Sequence, residues 1–141
     1  MLSRIVIEAG LLNNGMSVVR RQYIDATDLF IHPILVGEIL SVIQDLSETS
    51  NNLPEVIQIE NYFICLHRFI VAETGNFLLY TICQTNPQFI QNTLINLATE
   101  LKTFESILLN WNLDTESIGN LIPIFDEIFM SINKTKLPRS N

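Results

Sequence analysis

Along this chain the apolar residues switch between the two-residue spacing of strands and the three-to-four-residue spacing of helices in a fixed order. Two strand-like runs come first, then one amphipathic helix, three more strand-like runs, and two helices. A β-β-α-β-β-β-α-α order describes one compact α+β sheet with helices to cover both of its faces. At 141 residues the chain fits a single domain, expected over residues 1–133 with a polar tail over 134–141. A domain of this size buries roughly two-thirds of its unfolded surface.

The first run, Ser3–Leu12, is apolar on both alternating faces apart from Glu8, as suits a central strand covered on both sides. Asn13-Asn14-Gly15 predicts a hairpin, because asparagine and glycine tolerate positive φ. Met16–Tyr23 is the return strand, and Arg20-Arg21-Gln22 makes it polar enough for a sheet edge. Asp25–Ile31 reads as a connector with Asp28 as a candidate helix cap. A helix then runs from Pro33 to Ser47, with Val36, Ile39, Leu40, Ile43 and Leu46 on one stripe. Gly37 within it either permits close approach of another backbone or is a tolerated defect. Glu48–Pro54 is a polar loop.

Glu55–Glu60 alternates as an edge strand with one wet face would. Asn61 turns the chain into Tyr62–Val71. A turn carrying Gly75 follows, and Phe77–Cys83 reads as an inner strand. Asn86-Pro87 is a helix start, and a stripe from Ile90 to Leu108 extends that helix through Asn110. Trp111–Thr115 is expected as loop and Ser117–Gly119 as approach to a last helix. Asn120 would cap that helix with Pro123 in its first turn, and Leu121, Ile122, Phe125, Ile128, Phe129 and Ile132 would form its apolar stripe.

Composition narrows the function classes. The net charge of −7 repels phosphate backbones and anionic headgroups, so nucleic acid is not an expected partner. No run of about 20 apolar residues predicts an integral membrane segment. The N-terminal run meets Glu8 too early for a signal peptide. A cytoplasmic protein is expected. Cys65 and Cys83 then read as small buried hydrophobes, with a cross-strand disulfide as the alternative. Charged residues are only 16% of the chain, against about 25% on average. So little surface charge points to apolar area covered by a partner or a second copy.

Chemistry-bearing patterns are sparse. Cys65 and His67 share one strand face at i, i+2 spacing, the nearest approach to a nucleophile–base dyad; a buried thiol beside an imidazole is the plainer reading. His32 lies beside Pro33. The acidic residues form no spaced ligand set, the cysteines form no C-x-x-C pair, and the glycines form no phosphate-binding loop. Trp111, Phe104, Phe125 and Phe129 follow core spacing. No catalytic residue, cofactor or metal is expected, and the chain reads as a non-enzyme.

From the hairpin Ile5–Tyr23 to Ile132, the order of elements resembles a longin domain, the profilin-like, SNARE-like module of trafficking proteins. The most specific local piece is Leu29–Leu46, Leu-Phe-Ile-His-Pro-Ile-Leu-Val-Gly-Glu-Ile-Leu-Ser-Val-Ile-Gln-Asp-Leu, which is similar to the first helix of small prokaryotic longin-like proteins. A related roadblock module would need a helix before the first strand, which this chain lacks. The resemblance implies a five-stranded antiparallel sheet with one helix on one face and two on the other. It also implies a protein-binding role in a GTPase-regulating or vesicle-trafficking-like complex. The partner would be a second copy, another longin or roadblock protein, or a small GTPase, so a homo- or heterodimer is expected. No heptad coil or anchor follows Ile132, so the chain departs from fusion-driving longin SNAREs. The expected interface joins Val36, Ile39, Leu40 and Ile43 of the helix to Val56, Gln58 and Glu60 of the edge. The alternatives are an adaptor holding linear peptides along the Val18–Tyr23 edge, a roadblock-like scaffold, and an enzyme resting on Cys65 and His67.

Overall fold

A computed structural model describes residues 5–24, 33–48 and 53–134. Strands β1 (Ile5–Asn13) and β2 (Met16–Gln22) precede helix α1 (Pro33–Glu48). Strands β3 (Val56–Ile59), β4 (Tyr62–Val71) and β5 (Gly75–Gln84) follow. Helices α2 (Pro87–Leu101), α3 (Glu105–Leu109), α4 (Thr115–Ile118) and α5 (Ile122–Lys134) complete the described chain. The strands form one antiparallel sheet in the order β2-β1-β5-β4-β3. The expected α+β fold with five antiparallel strands is therefore present. The connector Asp25–Ile31 with Asp28, and the tail beyond Lys134, lie outside the described residues.

Local chemistry explains the turns. Asn14 and Gly15 take φ of 49° and 84° between the paired residues Asn13 and Met16, the two-residue geometry that joins twisted antiparallel strands without splaying them. In the turn before β5 the positive φ values fall on Ala72 and Glu73, at 51° and 65°, while Gly75 already belongs to the strand. Gly37 has open space where its Cβ would stand, so no close approach by another described backbone segment calls for glycine there.

The sheet separates two cores. On one face Ile39 and Ile43 of α1 pack with Ile7, Leu12, Tyr62, Ile64, Leu66, Leu78, Tyr80 and Ile82. On the other, α2, α3, α4 and α5 cover Val6, Ala9, Leu11, Cys65, Phe69, Phe77, Leu79 and Cys83. β1 supplies both faces by alternation, with a register irregularity between Val6 and Glu8. There the Asn133 side chain accepts from the Val6 amide at 2.7 Å and donates to the Val6 carbonyl at 2.9 Å.

Two helix expectations are corrected. The run from Pro87 to Asn110 is not one helix. It bends through a 3₁₀ turn at Lys102–Phe104, and the bend returns Leu108, fully buried, to the core. Ser117 lies in α4, whose first turn is closed by Asp114 accepting from the Ser117 amide and hydroxyl. Asn120 does not cap α5: Leu121 precedes that helix, and its carbonyl accepts from Ile124 and Phe125. Pro123 does sit in the first turn, where its missing amide costs nothing.

Candidate protein-interaction site

The two halves of the expected interface do not meet on one surface. Ile39 and Ile43 are 3% and 0% exposed against this chain's own sheet, and Leu40 is half-buried beside them. The periodicity that marks α1 as amphipathic is used internally, so Ile39 and Ile43 are corrected from partner contacts to core, while Leu40 is covered only in part. Val42, on the outer side of α1, is an exposed apolar residue among the described side chains of this helix. Val36 lies in α1, but its side chain is outside what the structure describes.

β3 does form a sheet edge. The Leu66 amide donates to the Glu55 carbonyl, and the register places Ile57 opposite Ile64 and Ile59 opposite Tyr62. Residues 55, 57 and 59 therefore direct their backbone groups toward β4, and Val56 and Gln58 direct theirs away from the sheet. Ile57 and Ile59 pack toward α1, whereas Val56 (37% exposed) and Gln58 project on the opposite face, beside Cys65 and Phe63. Gln58 donates from Nε2 to the Glu60 carbonyl at 3.3 Å. Glu60 itself is in the β3–β4 turn with φ 54°, outside the strand.

Where β3 ends, a side chain takes over. Gln91 of α2, buried, donates from Nε2 to the Leu66 carbonyl at 2.8 Å and so satisfies a ladder acceptor beyond the last paired residue. On the other face Arg68 donates from Nη2 to the Leu46 carbonyl near the end of α1, at 2.9 Å. There a cation also meets the negative end of the helix dipole. Burial lowers the Arg68 pKa.

The opposite edge, β2, is built differently. Arg20 reaches Glu8 with Nε and Nη2, each at 3.2 Å, and the Tyr80 hydroxyl donates to the same carboxylate at 2.6 Å. Glu8 is 1% exposed. Its hydrogen bond holds Arg20 more firmly charged. Desolvation first, then the Glu8 charge, pushes the Tyr80 phenol well above its ordinary value. Gly10 makes room for this group, because a Cβ there would fall 2.5 Å from the Tyr80 ring. Next along β2, Arg21 holds Asp126 of α5 through two bonds of 3.0 Å, and the Tyr23 hydroxyl donates to the same carboxylate at 3.1 Å.

Cys65 is partnered by Cys83, and their hydrogen bond lowers the Cys65 thiol pKa. Cys65 and Cys83 are fully buried free thiols. The Cys83 thiol is pushed up by its hydrogen bond with Cys65 and by burial. His67 is held below its ordinary pKa by desolvation and by Lys102. No hydrogen bond links Cys65 to His67 among the described residues. No cluster of three or more potential metal ligands occurs among them either. No described helix is long and apolar enough to cross a membrane.

Some of this was not anticipated from the sequence. Glu8, isolated in an apolar strand two residues before a glycine, and the Arg20-Arg21 pair were the visible traces of the two β2 networks. The edge-capping role of Gln91 has no signal in a helix that reads as ordinary. No protein-family model matches this chain, and no curated protein matches it.

Proposed function

We propose that this chain is a non-catalytic protein-interaction module that docks a partner by adding a strand to β3, as a longin-like subunit of a GTPase-regulating or trafficking-type complex. The observation that carries this reading is the outward-facing backbone of Val56 and Gln58, with exposed side chains and no strand outside them among the described residues. An extended segment laid there gains main-chain hydrogen bonds, and Val56 adds apolar contact. The longin-like order of elements supports the same role. The partner is a second copy, a longin or roadblock relative, or a small GTPase. A second copy would pair through a two-fold interface, the same strand on both sides.

Gln58→Pro tests the proposal cleanly. It deletes an amide that points away from β4, and proline is tolerated at such edge positions. The ladder to β4 therefore survives. Wild-type protein is expected to dimerise in sedimentation, or to retain a GTPase or longin-type protein in affinity capture. Gln58→Pro is expected to lose that association while keeping its circular dichroism. Association unchanged by Gln58→Pro, or a wild-type monomer that retains nothing, overturns the proposal.

A further inference from the structure

A second site lies away from β3, in a cleft of about 240 Å³ between the end of β2 and the last turns of α5. Its lining is Arg21, Gln22, Tyr23, Met130, Asn133 and Lys134. We propose that this cleft binds a single carboxylate carried on a short apolar stem.

The charge arrangement is the first support. In a chain of net charge −7, the lining among the described residues contains two cations, two carboxamides and no carboxylate. The nearby acid, Asp126, stands outside the lining with both oxygens engaged by Arg21 and one also by the Tyr23 hydroxyl. Arg21 and Asp126 cancel each other, and Lys134 makes no ion pair among the described residues. The described lining is left with one net positive charge, matched to one anion.

The second support is rigidity. Asn133 is fixed by its two bonds to the Val6 backbone, and Arg21 is fixed by its two-pronged bond to Asp126. The Tyr23 ring packs against Phe129 with centroids 5.8 Å apart. Walls held in this way lose little side-chain entropy when a ligand enters. Met130, 47% exposed, offers an apolar contact. The volume falls below the roughly 300–1,000 Å³ of drug-sized sites, so the cleft suits one acidic side chain or a free short-chain acid rather than a larger molecule. This site is independent of the β3 proposal, and either can fail alone.

The test is a two-dimensional amide NMR titration of the whole chain with butyrate, with butyramide as its uncharged isostere, and with N-acetylglutamate α-amide. Butyrate is expected to shift the Gln22, Met130 and Lys134 amides saturably, and butyramide to bind about tenfold more weakly, since the charge-assisted bonds are lost. Lys134→Gln, at an exposed position, should weaken butyrate about fivefold or more, and Met130→Glu should abolish binding by placing a carboxylate in the cleft. Tighter binding of the glutamate derivative than of butyrate assigns the site to an acidic side chain of a peptide; the reverse order assigns it to a free acid. Equal shifts with butyrate and butyramide, shifts unchanged in Lys134→Gln, or no saturable shift with either acid overturns the proposal.

Discussion

The two faces of the sheet are stabilised by different chemistry. The face under α2 and α5 has an apolar interior, with Phe69, Phe77, Phe125 and Phe129 packed among aliphatic side chains, and its Arg21–Asp126 pair lies at the partly exposed β2 edge. The face under α1 has a smaller described core and two charged intrusions, the Glu8–Tyr80–Arg20 group and Arg68 at the helix end. Apolar packing is stable wherever volume is filled. A buried carboxylate is tolerated only while its partners hold position. The α2 face therefore works as foundation, and the α1 face as the layer whose register is specified by polar contacts.

The largest effect should come from the foundation. Phe129→Ala removes a fully buried ring that touches both Phe125 and Tyr23, and a loss of about 3–5 kcal/mol in urea unfolding is expected. Ile43→Ala, equally buried on the α1 face, should cost about 2–3 kcal/mol, because one helix resting on the sheet collapses toward a void more readily than a layer of several. Equal losses for the two variants, at unchanged denaturant slope, would break the contrast between the faces.

Glu8→Gln sharpens the comparison from the polar side. The amide can still accept from the Tyr80 hydroxyl, but it replaces one acceptor toward Arg20 by a donor. A cost of about 1–3 kcal/mol is expected. It stays below that of a fully buried pair because the Arg20 side chain, 46% exposed, can turn to water. A stabilised Glu8→Gln would show that the α1 face gains nothing from this ion pair.

The legibility of the molecule divides along the same line. Strands and turns were readable because they depend on local periods and on residues such as Asn14-Gly15, whose conformational preference is intrinsic. The bend at Lys102–Phe104 was not, since the stripe through Leu101, Phe104 and Leu108 keeps helical spacing while tertiary packing decides where the axis turns. The interface half on α1 was misplaced for a related reason: a stripe shows that Ile39 and Ile43 are covered, and does not show whether sheet or partner covers them. The Val56–Gln58 edge was legible because alternation reveals a strand with one wet face. The Arg21–Lys134 cleft joins residues over a hundred positions apart, and no local pattern brings them together.

The smallest effect concerns the one histidine of the apolar face among the described residues. His67 has a folded-state pKa below its ordinary value of about 6.5, through burial and then the nearby Lys102, with Glu55 opposing. Above that value both folded and unfolded states hold a neutral ring, and His67 has no influence on stability. As pH falls through about 6.5 the unfolded chain takes up the proton first, so the native state loses stability until the folded-state ring also titrates. The urea midpoint should therefore drop modestly between pH 7 and pH 5, and His67→Gln should lessen that part of the drop. A wild-type midpoint that rises on acidification, or a drop identical in His67→Gln, would mean that the ring is not desolvated on this face.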